Sequence, residues 1–157
     1  MQRTTRTNRR TSCSGSFSGK LILLLKASLA RYISGVNKEG EEVEMTIPVL
    51  STLTFKEDNM MNNKMCFYLN KKHQANPPTP IDPTVKVEAK EMTVFVHSFD
   101  GLAMKDSVWI DQARVFGEVL ASAGVEVDTS TFLKASYASF FTGHEVMYLA
   151  QTNQHEV

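Results

Sequence analysis

One stretch, residues 91–101, constrains the fold more than any other part of this sequence. It is rich in β-branched and aromatic residues and closes with Asp100 and Gly101, so it predicts a buried strand that ends in a turn. Side chains alternate along a strand, which gives one face Thr93, Phe95, His97 and Phe99 and the other face Met92, Val94, Val96 and Ser98. A strand that is apolar on both faces needs a layer of structure packed against each of them.

The length of the chain fits one domain with a core of its own. At 157 residues, of which 42% are hydrophobic and 22% charged, the sequence is typical of a soluble globular protein. Its apolar runs are all shorter than the roughly 20 residues of a membrane-spanning helix. We therefore expect no membrane span.

The charge is unevenly distributed although the formal net charge is zero. Residues 1–35 carry seven basic residues and no acidic one, so the remainder has ten basic against 17 acidic residues, a net charge of −7. Phosphate binding needs a basic surface on the folded domain, and an acidic body argues against nucleic acid as a partner.

Residues 1–20 form an atypical segment that is rich in Arg, Ser and Thr and lacks acids. A disordered tail or an altered gene start is one interpretation, and a mitochondrial transit peptide is the alternative. The two cysteines, Cys13 and Cys66, are too few and too far apart for a metal motif or a disulfide framework, which is compatible with a reducing compartment.

The periodicity from residue 21 onward predicts two similar halves. The first has a helix over 21–34, whose stripe repeats every four residues and ends at Gly35, followed by strands over 43–55 and 64–70 that form a hairpin. A proline-rich connection at 71–83 and a short strand at 85–89 lead to the second half. That half has a strand over 92–99, a helix over 105–123 capped by Asp106 or Ser107, strands over 131–141 and 145–151, and a frayed tail over 152–157. The first half lacks the strand that should precede its helix.

Five segments resemble the SOUL/heme-binding protein family in order and spacing. They are 31–37 (RYISGVN), 45–49 (MTIPV), 76–80 (NPPTP), 91–101 (EMTVFVHSFDG), and 135–137 (ASY) with 145–149 (EVMYL). The resemblance covers about residues 29 to 151, whereas residues 1–20 do not match the strands with which the family begins.

The resemblance implies an α+β fold, a distorted antiparallel β-barrel of two pseudo-repeats with a helix packed outside each. It also implies a cytoplasmic protein that binds heme or another tetrapyrrole without covalent attachment, as a carrier or buffer. Catalytic signatures are absent from the sequence, which has no phosphate loop, dinucleotide fingerprint, His-Glu-x-x-His or Gly-x-Ser-x-Gly motif. We therefore predict a binding protein and not an enzyme.

A tetrapyrrole is a flat apolar plate with two carboxylates on one edge, so its site needs an apolar groove with cations at the rim. The family resemblance places this groove near the first helix. Arg31 and Lys64 are the predicted carboxylate partners, and Leu25, Ala30 and Ile33 are the predicted lining.

His97, inside the central strand, is the only histidine with an apolar setting suited to an iron ligand. The other three histidines, His73, His144 and His155, are expected at the surface.

A second function fits the same sequence. Without the first strand of the first half, the groove would lack a wall and a sheet edge would lie open. The alternative is therefore a protein-interaction or signalling module with weak or lost heme binding, which pairs with a protein partner or with itself through that edge.

Overall fold

The computed structural model describes residues 2–18, 22–55, 61–137 and 143–150. These residues form two α-helices and an antiparallel sheet, which confirms the predicted α+β class. In chain order the elements are β1 (Gln2–Ser18), α1 (Ile22–Ile33), β2 (Val49–Phe55), β3 (Met61–Tyr68), β4 (Val85–Phe99), α2 (Asp106–Ser122), β5 (Thr131–Ser136) and β6 (His144–Leu149). Neither helix combines the length and apolarity that a membrane crossing requires in the described part of the chain.

The β2–β5 pair joins the β2–β3 pair to the β5–β6 pair in one sheet. The five strands β3, β2, β5, β6 and β4 lie side by side in that order, and β3 does not pair with β4 to close them. The backbone of β1 pairs with both of these outer strands, so the order of the whole chain is β1-β3-β2-β5-β6-β4.

The N-terminal segment differs from its prediction, because Gln2–Ser18 is a strand and not a disordered tail. Threonine favours extended backbone, and the ladder with β4 runs from the Gln2–His97 pair to the Ser14–Val85 pair. This strand occupies the place before α1 for which the sequence predicted no strand. Both outer strands are paired along it, so the open edge invoked for self-association is covered there. The division of the chain at residue 20 stays a prediction.

The strand that dominates the sequence is covered on both faces, as predicted. Val94 and Val96 pack on one side in a cluster with Leu50, Leu133 and Ala135. On the other side Phe95 and Phe99 pack against the cluster beneath α2, which includes Trp109, Phe116 and Leu120. The predicted strand at 85–89 is not separate, because β4 runs without a break from Val85 to Phe99.

Helix α1 is held to the sheet by Leu25, Leu29 and Tyr32, which are buried at spacings of four and three residues. Ile33, predicted to share this stripe, is only half-buried, and Leu21 lies outside the described residues. The predicted glycine C-cap is confirmed, since Gly35 has a φ of 92° and the N–H of Val36 donates to the carbonyl of Arg31 at 3.0 Å.

Two local predictions are wrong. The alternating strand expected from residue 43 begins only at Val49, and Met45 and Ile47 are 55% and 59% exposed instead of buried. Pro48, which has no N–H for the ladder, immediately precedes that start. Helix α2 is preceded by Lys105, without a side-chain cap from Asp106 or Ser107. The predicted glycine end of α2 is confirmed at Gly124, which has a φ of 73°.

The proline-rich connection is fixed to the last turn of α1 and to the residues that follow it. The hydroxyl of Tyr32 donates to the carbonyl of Pro78 at 2.7 Å, and the N–H and hydroxyl of Thr79 donate to the Glu39 carboxylate at 2.6 and 2.8 Å. The bonds from Thr79 hold the pKa of Glu39 below its ordinary value. These contacts support a structural role for the connection.

The cysteines also depart from expectation. Cys66 is disulfide-bonded, and the register of β1 against β3 places it opposite Cys13, the other cysteine of the chain.

Candidate functional site

A groove of about 420 Å³ runs between α1 and the outer face of the sheet. Three strands form its floor, and one side of α1 with the segment before β2 forms its walls. Its lining residues are Lys26, Ala30, Ile33, Met45, Val49, Ser51, Met65, Phe67, Lys134 and Ser136. We call this cavity the α1 groove.

Strand register explains the floor of the α1 groove. Alternate residues of β3, β2 and β5 face outward, and the register aligns them in two rows across the sheet. The rows are Phe67-Val49-Ser136 and Met65-Ser51-Lys134. The floor thus spans two interstrand gaps, roughly 10 Å, with an apolar side toward β3 and a polar side toward β5.

The helical wall contains two of the three predicted lining residues. Ala30 and Ile33 both line the groove, and the small side chain of Ala30 leaves the space beside it open. Leu25 does not line it, because this side chain is buried between α1 and the sheet. Its position follows from the four-residue spacing to Leu29, which places both residues on the sheet-facing side of the helix.

Two lysines lie at the groove, and neither was singled out by sequence reasoning. Lys26 is exposed on α1. Lys134 is on β5, where its Nζ lies 3.1 Å from Asp106 Oδ1 and 5.3 Å from the centre of the Trp109 ring. Among the described lining residues there is no carboxylate, but Asp106, which lies outside the lining, balances the charge of Lys134.

The two predicted cations lie elsewhere. Lys64 forms an ion pair with Glu88 at 2.7 Å, and the alternation along β3 directs it away from the face on which Met65 lines the groove. Arg31 is exposed near Asp82. The pKa of the Asp82 carboxyl is lowered first by hydrogen bonds from Thr84, with a smaller contribution from the charge of Arg31.

The candidate iron ligand lies beneath α2. The Nε2 atom of His97 is 3.1 Å from Gln112 Oε1, and its ring stacks on that of Phe116 with centroids 5.4 Å apart. His97 does not line the α1 groove. In the ranges that the structure describes, no three His, Cys, Asp or Glu side chains are grouped as a metal site.

Two other histidines are buried, contrary to their predicted surface positions. Nδ1 of His73 lies 2.7 Å from Asn70 Oδ1, and its Nε2 lies 3.2 Å from Glu41. His144 packs edge-on against the Trp109 ring, with centroids 5.2 Å apart. Polar neighbours and aromatic rings at these turns favour burial of an imidazole, which a polar sequence context does not reveal. His155 falls outside the described residues.

Comparisons with known proteins agree with this architecture. The family model described as SOUL heme-binding protein matches residues 11–148. Heme-binding protein 2 from Homo sapiens is 30% identical over 137 residues, covering 80% of this chain and 64% of that protein. Heme-binding protein 1 from Mus musculus is 29% identical over 112 residues, covering 69% of this chain and 58% of that protein. The matched regions thus span about three fifths of these two relatives.

Solved structures with the same fold are more distant in sequence. The structure of SAV2435 bound to tetraphenylphosphonium has a TM-score of 0.53 and 10% identity, and the match covers 99% of this chain and 97% of that one. A hydrolase from Listeria innocua has a TM-score of 0.55 at 10% identity, covering 94% and 90% of the two chains. At this identity the likeness concerns the fold alone.

Proposed function

Because the chain belongs to the SOUL heme-binding protein family, we propose that it binds heme or a related tetrapyrrole in the α1 groove. The binding is non-covalent, and the protein acts as a carrier or buffer without chemistry on the ligand. The proposed setting is the cytoplasm, as the family resemblance implies, although a disulfide such as that of Cys66 is rare in this reducing compartment.

The charge and shape of the α1 groove carry this proposal. Its volume of about 420 Å³ is within the range of small-molecule sites, which is roughly 300–1,000 Å³. Val49, Met65 and Phe67 offer an apolar surface to a flat ring system, and Lys26 offers a cation to one carboxylate. Lys134 offers the second cation by exchanging its ion pair with Asp106 for the other carboxylate. A dianionic amphiphile therefore matches both the apolar floor and the polar rim.

The lining residues of the groove also indicate whether the ligand is bound covalently. No cysteine is among its described lining residues, which supports binding without a thioether bond. Iron ligation by His97 stays a prediction that this proposal does not require. The propionate contacts assigned to Arg31 and Lys64 stay predictions as well, and the test below compares them with Lys26 and Lys134.

The family fold leads to a second part of the proposal, that the sheet with β1 acts as a distorted barrel of two pseudo-repeats. Exchanging β1 with β4, β2 with β5 and β3 with β6 reproduces the observed strand order in reverse. This permutation supports two halves of common design, each with its own helix outside.

Hemin titration followed at the Soret band tests the proposal. We expect the parent protein to shift the band at one equivalent of hemin, and the Lys26→Ala/Lys134→Ala variant to bind at least about tenfold more weakly, which is about 1.4 kcal/mol. Arg31→Ala/Lys64→Ala is the matched control, because it removes the same charge from outside the groove.

The outcomes separate the function from the residues. A parent protein that leaves the Soret band of free hemin unchanged contradicts the function. If Arg31→Ala/Lys64→Ala loses more hemin affinity than Lys26→Ala/Lys134→Ala, the function is supported, and the carboxylate contacts are assigned to Arg31 and Lys64.

A further inference from the structure

A second cavity lies on the other helix. This α2 cleft has a volume of about 480 Å³ and opens along the side of α2 that faces the end of β2. Its lining residues are Phe55, Ile110, Arg114, Gly117, Glu118, Ala121, Thr129 and Tyr148. It shares no lining residue with the α1 groove.

The two cavities use equivalent positions of the two helices. In α1, three lining residues follow the buried Leu25 by one, five and eight residues, and in α2 three lining residues follow the buried Ala113 at the same intervals. The corresponding pairs are Lys26 with Arg114, Ala30 with Glu118, and Ile33 with Ala121. Since 3.6 residues make one turn, equal intervals place both sets on the same side of their helices.

The strands repeat this correspondence. The α1 groove is lined by the last strand of its own half, through Phe67 of β3, and by a strand of the other half, through Ser136 of β5. The α2 cleft is lined by Tyr148 of β6 and by Phe55 of β2, which are the matching strands after exchange of the halves. The cleft therefore corresponds to the groove in the helix positions and in two of its three strands, since no residue of β5 matches Val49 and Ser51 of β2.

Charge distinguishes the two cavities. Arg114 has Glu118 Oε1 at 3.4 Å and Asp111 Oδ1 at 3.7 Å, so its positive charge is balanced at the rim of the cleft. The groove has two lysines and, among its described lining residues, no carboxylate, although Asp106 outside the lining pairs with Lys134. The cleft thus has a carboxylate, Glu118, in its own lining, whereas Lys26 gives the described lining of the groove an excess of positive charge.

The walls of the α2 cleft are apolar and partly aromatic. Phe55 is 40% exposed at the end of β2, and Ile110 and Tyr148 also line the cavity. Gly117 widens the cleft, because a Cβ at this position would lie 3.4 Å from Thr129 Cγ2 and Tyr148 Oη. Aromatic walls without net charge favour a flat, uncharged ring system.

We propose that the α2 cleft is a second ligand site, which takes an uncharged polycyclic aromatic molecule while the α1 groove takes the anionic one. The inference rests on the cleft itself and holds whether or not the groove binds heme.

Nile red, a neutral polycyclic dye whose fluorescence rises in apolar surroundings, is the probe. The titration uses Ala30→Phe, which fills the α1 groove, and the Ala30→Phe/Ala121→Phe double variant, which fills both cavities. We expect Ala30→Phe to bind Nile red with a dissociation constant close to that of the α2 cleft in the parent protein. We expect the double variant to bind the dye at least about tenfold more weakly. Absence of binding to Ala30→Phe, or equal binding by both variants, overturns the inference.

Hemin titration of Ala121→Phe provides the fold control and the separation from the proposed function. We expect this variant to keep the hemin affinity and the near-UV signal of the single Trp109, because its substitution lies outside the groove. If the parent protein does not bind hemin, the Nile red comparison still tests the α2 cleft. If Nile red does not bind, the hemin titration still tests the α1 groove.

Discussion

The outer faces beneath α1 and α2 each have a cavity beside the helix, and the side chains around the two cavities differ. Under α1 the buried stripe is Leu25, Leu29 and Tyr32, and the adjoining groove is lined by two lysines. Under α2 the cluster is dominated by aromatic rings, and the adjoining cleft is lined by an arginine with its charge balanced by carboxylates. The comparison separates the position of each cavity, which lies beside a helix, from the charged side chains at its rim, which differ between the two.

The largest expected effect concerns the cores beneath the two helices. Leu29 and Phe116 are 0% and 2% exposed and belong to separate clusters. We expect Leu29→Ala to lower the free energy of unfolding by about 2–5 kcal/mol and Phe116→Ala by about 3–5 kcal/mol, because each leaves a cavity. Urea denaturation measures both.

The double variant sharpens this comparison. If each helix is anchored independently, the two losses add within about 0.5 kcal/mol. A coupling above about 1 kcal/mol would show that the two faces form one packing unit and would break the comparison between them.

A smaller effect is expected when the charge of the α2 cleft is changed to that of the groove. Glu118→Lys removes one of the carboxylates that balance Arg114 and adds a cation at the rim. We expect the variant to bind a second equivalent of hemin in the α2 cleft. Its affinity at this cleft should be about tenfold higher than that of the parent protein's cleft. Isothermal titration measures the stoichiometry.

Glu126→Lys is the matched control for that experiment. It makes the same change of net charge at an exposed residue outside the cleft. Equal hemin binding by the two variants would attribute the effect to overall charge and not to the cleft.

The smallest effect concerns two buried tyrosines, one associated with each helix. Tyr32 Oη donates to the carbonyl of Pro78 at 2.7 Å, and Tyr148 Oη donates to that of Ala113 at 2.9 Å. Burial raises the pKa of both, and together with the charge of Glu39 it brings Tyr32 to about 12 from an ordinary value of 10.0. The folded state therefore disfavours each phenolate.

The sign of the pH dependence follows from this direction. The contribution of Tyr32 to stability is complete below pH 10.0 and is lost as the pH rises toward about 12. We expect Tyr32→Phe to cost about 0.5–1.5 kcal/mol at neutral pH and to reduce the alkaline loss of stability. Urea denaturation between pH 8 and pH 11 measures this, and an alkaline slope identical to that of the parent would contradict it.

The sequence predicts the elements of this fold better than it predicts the site. The apolar stretch at 92–99 and the stripe through Leu25 and Leu29 carry their structure in local periodicity, which does not depend on distant residues. Strand β1 could not be predicted from the sequence because it is held by backbone pairing with β3 and β4. A polar sequence has no apolar periodicity that would indicate such pairing.

The cations of the groove show why the site itself is harder to predict. Lys134 lies beside Ser51 only because of the register between β2 and β5. Residues so far apart in the sequence give no local pattern that would predict their contact. An outward-facing lysine between Leu133 and Ala135 is the one signal that the strand pattern offered. Ala30 and Ile33 line the α1 groove, and they were predicted because the family resemblance pointed to the first helix; their contact with a ligand stays a prediction.

Paramagnetic broadening by hemin is the measurement that tests the central claim most directly. Ferric heme broadens amide signals near it, so a ¹⁵N-labelled protein titrated to one equivalent reports where the ligand lies. We expect the signals of Ala30, Val49, Ser51 and Lys134 to broaden while those of Phe55 and Ala121 stay sharp. Broadening centred on Phe55 and Ala121, with Val49 and Ser51 unaffected, would contradict the assignment of the tetrapyrrole to the α1 groove.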